Sequence, residues 1–195
     1  MRKLSQCFII LFVILLFSNT AFCDHKIGFS PKYCFLSIDD PDGNTDTYSG
    51  LQAIGLTYTF DLNRKSRLYT DFLMLDFQTS ASTTEIANTA EGYSVTTAYQ
   101  QLFRLSRNIK FFIGAGVTMT QIDFSERHTI TESGFLQNSY EDRSENSFAA
   151  YVNVSNEWEI NDNFDFGVNV AYQQDIGESV SGLSVGASVF YKFGR

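Results

Sequence analysis

One histidine of the chain stands among residues that could do hydrolytic chemistry. His128 lies close to Glu126, Glu132 and Ser133. A serine nucleophile needs a histidine base, and an acidic residue orients that base. The other histidine, His25, lies at the extreme N-terminus of the chain that remains after the apolar N-terminal segment. A histidine among polar loop residues is more commonly just solvated, so we predict no catalytic residue and keep hydrolysis as an alternative.

An acidic segment offers oxygen atoms at close spacing. Residues 39–46 read DDPDGNTD, which resembles a calcium-binding loop in composition. The EF-hand type carries glutamate at its twelfth position, and here that position is Gly50. Aspartate-rich segments are also simply soluble turns. The sequence therefore predicts no metal-binding and no cofactor-binding residue.

A third candidate is a long polar segment, residues 124–146. It carries apolar residues at Ile130, Phe135, Leu136 and Tyr140. The segment is long enough to extend its flanking strands as a ribbon, and an exposed strand edge can recruit a partner by strand addition. If the protein binds a host or surface ligand, we expect this segment to form the binding surface.

These segments connect strands with a period of two. In the last strand Leu183, Val185 and Val189 alternate with Ser184 and Ser188. Eight such segments are predicted, and each reaches the roughly 9–11 residues that a strand needs to cross a bilayer. Their ranges are 26–38, 50–61, 67–78, 92–104, 109–123, 147–159, 164–174 and 182–193. Short polar turns alternate with longer loops, which predicts an all-β fold: an eight-stranded antiparallel up-and-down transmembrane β-barrel.

The alternation assigns the two faces of most strands. Apolar residues such as Ile54, Val117, Val152 and Val170 are expected to face lipid, and Ser, Gly, Thr, Asn and Gln to face the lumen. A polar lumen argues against the alternative of a soluble barrel that holds a lipid. Strand 67–78 is ambiguous because each face carries an aspartate, and a bulge in the strand would resolve it. The rings expected in the two aromatic girdles are Tyr58, Phe60, Phe103, Phe111, Trp158, Phe164, Tyr191 and Phe193 at one end, and Tyr93, Phe124, Phe148 and Tyr172 at the other.

With eight strands the lumen is only wide enough for side chains to fill it, so an open pore is not expected. Charges in so narrow a space must pair or stay hydrated. We predict Arg104 or Lys110 as partners of Glu157 or Asp165. The full set of predicted luminal charges is Lys32, Arg104, Lys110, Glu157, Asp165 and Lys192. A salt-bridge network that plugs the lumen is the favoured interpretation, and an ion or proton relay is the alternative.

The N-terminal segment has the layout of a secretory signal. Arg2 and Lys3 precede an apolar run from Cys7 to Phe17, which is too short for a transmembrane helix. We place cleavage after Cys23, which gives a signal peptide 1–23 and one domain, 24–195. Acylation of Cys23 and a retained anchor are alternatives. The removed part carries two of the 14 basic residues and no acidic one, so the remaining chain has a net charge of −10. This charge argues against nucleic acid as a partner.

The eight strands and the ending ASVFYKF resemble the small outer-membrane barrels of the OmpA-barrel and OmpX/Ail type. The resemblance covers nearly all of the chain after Cys23, although Gly194 and Arg195 follow the usual terminal aromatic position, Phe193. It implies a location in the outer membrane of a Gram-negative bacterium and contact with outer-membrane lipids and lipopolysaccharide, where acidic loops would meet bridging divalent cations. It also implies insertion by the barrel-assembly machinery.

The resemblance leaves three roles open. The main one is a non-enzymatic surface protein that supports envelope integrity or surface interaction. The second is an adhesin or host-interaction protein that binds through loop 124–146. The third is a lipid A-modifying enzyme, although the chain lacks the His-x-Ser-Asn motif of the deacylases.

Overall fold

The computed structural model describes residues 25–39, 45–80, 86–104, 109–176 and 180–193. The predicted signal peptide, Cys23 and Arg195 lie outside these ranges, and cleavage after Cys23 stays a prediction. No helix within the described ranges is long and apolar enough to cross a bilayer. The strands are β1 His25–Phe29, β2 Lys32–Asp39, β3 Thr45–Gln52, β4 Gly55–Asn63, β5 Ser66–Gln78, β6 Ala87–Arg104, β7 Ile109–Ile130, β8 Leu136–Ser139, β9 Arg143–Glu159, β10 Phe164–Asp175 and β11 Val180–Phe193.

The strands close into a ring with eight positions in its wall. β1 and β2 share one position, interrupted at Pro31, whose backbone has no N–H to donate. β3 and β4 share the next, and β5, β6, β7, β9, β10 and β11 follow, all antiparallel. β11 closes the ring by pairing with β1 and β2 in one register, from His25 opposite Phe193 to Ile38 opposite Val180. The predicted eight-stranded barrel is confirmed.

The exterior of the barrel carries a broad apolar band. Ile113, Val152, Val170 and Val185 are all exposed, while the residues between them along each strand point into the lumen. The band ends at a row of polar side chains that face each other across β5, β6, β7 and β9. This row consists of Asp76, Glu91, Asp123 and Ser144. The predicted faces of strands two, five, six, seven and eight are confirmed.

Strand β5 needs no bulge to resolve its two faces. Its register on β6 runs unbroken from Ser66 to Gln78, with Asp71 inside and Asp76 outside at the polar row. The one irregularity next to β5 lies at its turn with β4, between Asp61 and Asn63.

We call the end of the barrel with the short turns the inner end and the end with the longer loops the outer end. The outer ends of several strands extend further than the sequence pattern suggested. β3 begins at Thr45, β6 at Ala87, and β7 runs on to Ile130. Beyond the apolar band the outward side chains become polar, so the period-two signal of an apolar exterior fades there although the backbone ladder continues. Phe124, predicted in the outer girdle, lies inside the barrel and is almost fully buried.

The depth of the apolar band can be tested with one substitution in two places. Val170 lies at mid-height on β10, opposite Val154 and Val185, and Gln174 lies on the same face near the outer end. Val170→Arg should lower the free energy of unfolding by about 2–4 kcal/mol, and Gln174→Arg by about 0–1 kcal/mol, because the lipid penalty depends on depth. Urea titration in lipid vesicles measures both, and equal losses would contradict the band.

Candidate functional site: lumen and outer ribbon

The inner half of the lumen is filled by a chain of buried ion pairs. Lys26 lies 2.8 Å from both Glu157 and Asp165, Arg67 lies 2.5 Å from Glu157, and Lys192 lies 3.1 Å from Asp165. All five side chains are almost completely shielded from solvent. Since each carboxylate meets two cations, removing any one member leaves a buried charge without its full compensation.

The guanidinium of Arg67 is fixed by more than its ion pair. Its Nε donates to the Gln100 side-chain oxygen at 2.5 Å, and its central carbon lies 3.5 Å from the centre of the Phe112 ring. A planar guanidinium suits both contacts at once. Arg67 therefore links β5 to β6, β7 and β9 across the lumen.

A second ion pair lies further out along the lumen. Lys32 is 2.5 Å from Asp71, and Asp71 also accepts hydrogen bonds from Thr57 at 2.7 Å and Tyr69 at 3.3 Å. The carboxylate thus has a partner for each oxygen, as a buried charge requires.

The structure confirms Lys32, Glu157, Asp165 and Lys192 as luminal, but their partners differ from those predicted. Glu157 and Asp165 pair with Lys26, Arg67 and Lys192. Of the cations predicted to pair with them, Lys110 is half-buried at the inner end, and the side chain of Arg104 lies outside the described part of the structure.

Sequence reasoning missed Lys26, Arg67 and Asp71. Lys26 lies an even number of positions before Lys32 on the same predicted strand, so the alternation could have placed Lys26 in the lumen. Arg67 and Asp71 share a face of β5, the strand whose faces the sequence left ambiguous.

The outer half of the lumen is apolar, which corrects the expectation of a polar interior throughout. A cluster of eleven buried side chains fills it, and we call it the apolar plug. Its members are Cys34, Leu36, Ile38, Tyr48, Leu73, Leu75, Phe77, Ala90, Ile122, Phe124 and Val180. Two small luminal cavities, of about 30 and 10 Å³, lie in the described part of the barrel. Each has room for about one or two water molecules.

Above the apolar plug, β7, β8 and β9 form a protruding ribbon. β7 pairs with β9 as far as Phe124 opposite Arg143, and then with β8 from His128 opposite Ser139. A bulge on β7 at Glu126, whose φ is 55°, redirects the strand there. The ribbon predicted from segment 124–146 is therefore present.

The tip of the ribbon is apolar and exposed. Phe135 is 74% exposed and Leu136 is 66% exposed. The turn is held by Gly134 at φ 83° and by the Thr131 hydroxyl, which accepts the N–H of Phe135 at 3.2 Å. These side chains lie well beyond the polar row that ends the apolar band, so bilayer hydrocarbon does not cover them.

The ribbon's two arginines are half-buried against residues of the ribbon and its base. Arg127 donates to the Glu141 carbonyl at 2.9 Å, and its guanidinium lies 5.9 Å from the centre of the Tyr140 ring. Arg143 lies 4.6 Å from the centre of the Phe124 ring at the base of the ribbon. Segment 124–146 has five acidic and two basic residues, so carboxylates dominate the charge that it presents to solvent.

The residues that could have formed a hydrolytic site are not brought together. His128 Nδ1 lies 2.6 Å from the backbone oxygen of Glu126, and Ser133 is hydrogen-bonded to Thr131 at 3.0 Å. His25 lies at the opposite end of the barrel, 2.6 Å from the Tyr58 hydroxyl. Across the described ranges, no three His, Cys, Asp or Glu side chains are placed to hold a metal ion. Residues 40–44 of the acidic segment lie outside them.

These features define the class: a small eight-stranded β-barrel of the outer-membrane type, with a filled lumen. No family model and no curated protein matches the chain.

Three solved structures of outer-membrane proteins resemble it in fold. Ail, the attachment invasion locus protein of Yersinia pestis, in complex with the heparin analogue sucrose octasulfate, is 15% identical over 88% of this chain and 99% of that chain, with a TM-score of 0.55. Neisserial surface protein A is 13% identical over 87% and 97%, with a TM-score of 0.59. OprG from Pseudomonas aeruginosa is 14% identical over 91% and 98%, with a TM-score of 0.57. The predicted resemblance to small outer-membrane barrels is confirmed at the level of fold.

Proposed function

We propose that this protein is a non-enzymatic surface protein in the outer membrane of a Gram-negative bacterium, and that its barrel anchors the ribbon as a recognition element. One observation carries the proposal. Ion pairs and the apolar plug fill the lumen along its length, whereas the ribbon tip exposes Phe135 and Leu136 beyond the membrane band. A filled barrel is suited to anchoring, and an exposed apolar tip is suited to binding.

The location is supported by the apolar exterior and by the outer-membrane origin of the structural neighbours. It implies contact with outer-membrane lipids and lipopolysaccharide, and insertion by the barrel-assembly machinery, which would read the alternating Val189, Tyr191 and Phe193 of β11. Gel mobility of purified outer membranes with and without boiling tests the location. A folded barrel should migrate differently from the boiled protein, and recovery in the soluble periplasmic fraction would contradict the proposal.

The side of the ribbon offers a strand edge for a partner. β9 pairs with β10 only from Ala149 opposite Asp175, so residues 143–147 have β7 on one side and no described strand on the other. An extended peptide can add to such an edge through its main chain, with side-chain contacts supplying specificity.

The charge of the ribbon restricts the chemical type of partner that it can bind. Ail was solved with a heparin analogue, which is a polyanion. The net charge of −3 on segment 124–146 disfavours such a ligand here, and so do the contacts that hold both arginines against the ribbon's own residues. A partner with basic and apolar residues fits both the carboxylates and the tip.

Substitution at the tip tests the recognition role. Phe135→Ser together with Leu136→Ser should reduce adhesion of expressing bacteria to cultured host cells by at least about tenfold, because exposed aromatic and aliphatic anchors dominate many interfaces. Leu62→Ser is the matched control, since Leu62 is exposed at the opposite end of the barrel. Unchanged adhesion of the double variant, at equal surface amounts, would rule out the tip as a binding element.

A further inference from the structure

Backbone hydrogen bonds do not join every pair of neighbouring strands along the full height of the barrel wall. Between β4 and β5 the pairing runs from the inner turn to Gly55 opposite Leu73, with a last backbone bond from Met74 N–H to the Ile54 carbonyl at 2.9 Å. Further out, β3 pairs with β2 alone, and the outer part of β5 pairs with β6 alone. Among the other neighbours in the described ring, unbroken ladders join β5 to β6, β7 to β9 and β10 to β11. The position shared by β1 and β2 is interrupted at Pro31, and residues 143–147 of β9 have no described partner on the β10 side.

One side chain bridges the unpaired gap between β3 and the outer part of β5, which we call the seam. The Gln52 amide donates to the Asp76 carbonyl at 3.1 Å and accepts the Asp76 backbone N–H at 2.7 Å. The amide thus takes the place of a strand neighbour, with one donor and one acceptor. Gln52 is only 1% exposed, so this pair of bonds is shielded from competing water. We call it the Gln52 clasp.

The seam begins at the outer boundary of the apolar band. Leu51 and Ile54 are exposed apolar residues at its lower end, whereas Thr47 and Ser49 on the same face of β3 are polar. Ala53 and Ile54 belong to neither β3 nor β4, and they form the natural hinge between the two.

The apolar plug lies directly behind the seam. The Tyr48 ring of β3 and the Phe77 ring of β5 are 5.9 Å apart, and the sulfur-bearing side chain of Cys34 is buried in the same cluster. A small cavity lined by Cys34, Leu36 and Leu75 adjoins it.

We propose that β3 is a flap, hinged at Ala53 and Ile54 and held closed by the Gln52 clasp, that opens the apolar plug sideways at the outer membrane boundary. Opening here breaks the two hydrogen bonds of the clasp, the hydrogen bond that the Asn88 amide donates to the Tyr48 hydroxyl at 2.8 Å, and the contacts of the Tyr48 ring with Phe77 and Phe124. Separating β5 from β6, or β7 from β9, would instead break a row of backbone bonds. β3 stays paired with β2 throughout. The slot exposes Tyr48, Phe77 and Cys34, so a guest that gains from entering it is apolar. This inference is independent of the ribbon's role.

The buried thiol supplies the readout. In protein purified from outer membranes, with its mass confirming the loss of residues 1–23, Cys34 is the only cysteine. Gln52→Met keeps the side-chain volume and removes both bonds of the clasp. We expect maleimide to label Cys34 at least about tenfold faster in this variant than in the unaltered protein, because two buried hydrogen bonds are lost.

Thr120→Val is the matched control. Thr120 also lines the cavity next to Cys34, but it lies on β7, which is paired by backbone hydrogen bonds with β6 on one side and β9 on the other. Its labelling rate should stay near that of the unaltered protein. Equal acceleration in both variants, or none in Gln52→Met, would overturn the flap. Heat-dependent gel mobility selects folded samples for the comparison.

A measurement on the unaltered protein removes dependence on any variant. Amide hydrogen exchange in lipid vesicles should be faster for residues 47–51 of β3 than for residues 56–60 of β4, since only β4 has backbone partners on both sides. Equal protection of the two segments would contradict the proposal even if the Gln52 variant failed to fold.

Discussion

Replacing Glu157 with glutamine should lower the free energy of unfolding by about 3–5 kcal/mol, because breaking a buried ion pair leaves its partners uncompensated. Glu157 lies 2.8 Å from Lys26 and 2.5 Å from Arg67, with all three side chains nearly inaccessible to solvent. Glutamine keeps the shape of glutamate but cannot balance two cations. The two cations are then left facing each other with Asp165 alone to compensate Lys26.

Fluorescence of Trp158, the only tryptophan of the chain, follows urea unfolding of this variant in lipid vesicles. Glu159→Gln is the matched control. Glu159 lies 3.4 Å from Lys192 at the inner rim, with its side chain 34% exposed, so its loss should cost less than about 1 kcal/mol. Losses of similar size in the two variants would show that the buried network does not stabilise the barrel in this way.

The strands that the sequence predicts best have uniform environments on each face. β10 and β11 carry apolar residues outward and small or polar residues inward along most of their length, from Phe164 to Tyr172 and from Leu183 to Phe193. Lipid on one side and a polar lumen on the other impose a period of two, and that period alone gives the number of strands and their faces.

β5 escaped the same reasoning because its inner face changes character along its length. Arg67 and Asp71 lie in the ionic half of the lumen, and Leu73, Leu75 and Phe77 lie in the apolar plug. The side of β5 on the exterior of the barrel carries apolar Phe72 and Met74 in the membrane band and Asp76 above it. Both faces are therefore partly apolar, and period-two counting cannot separate them.

The sequence could not predict which luminal charges pair with each other, for a different reason. Lys26 and Glu157 are 131 residues apart and meet across the lumen, not across neighbouring strands. Which luminal side chains share a level depends on how the ring closes, and strand periodicity does not contain that information.

The seam between β3 and β5 was likewise invisible in sequence. Gln52 reads as an ordinary polar position on a luminal face, and its role follows only from the divergence of two backbones. The ribbon was predictable, because the segment is longer than a turn requires. The contacts that hold Arg127 and Arg143 against the ribbon and its base were not.

The barrel consists of two stacked regions of opposite polarity. Inside the membrane band the exterior is apolar and the lumen carries ions. The apolar plug begins within the membrane band, at Leu73 and Leu75 of β5, and continues above the row formed by Asp76, Glu91 and Asp123, where the exterior is polar. The outer region is therefore organised like a water-soluble β-barrel, and it is stabilised by burial of apolar area from water. The inner region relies on lipid outside and ion pairs inside.

This two-region organisation predicts a large cost for truncating the plug. Phe124→Ala should lower the free energy of unfolding by about 3–5 kcal/mol, the usual loss for a large aromatic side chain in a closed core. Phe124 is 1% exposed, contacts the Tyr48 ring at 5.9 Å between centres, and lies under the Arg143 guanidinium. Its removal leaves a cavity at the base of the ribbon that the surrounding ladders prevent from collapsing.

Phe135→Ala provides the comparison on the same ribbon, eleven positions further along the chain. Since Phe135 is largely exposed at the tip, its truncation should change the free energy of unfolding by no more than about 0.5 kcal/mol. Urea unfolding of both variants in vesicles decides the matter. If Phe124→Ala were as stable as Phe135→Ala, the plug would not be a closed core, and the outer half of the lumen would have to be open to water.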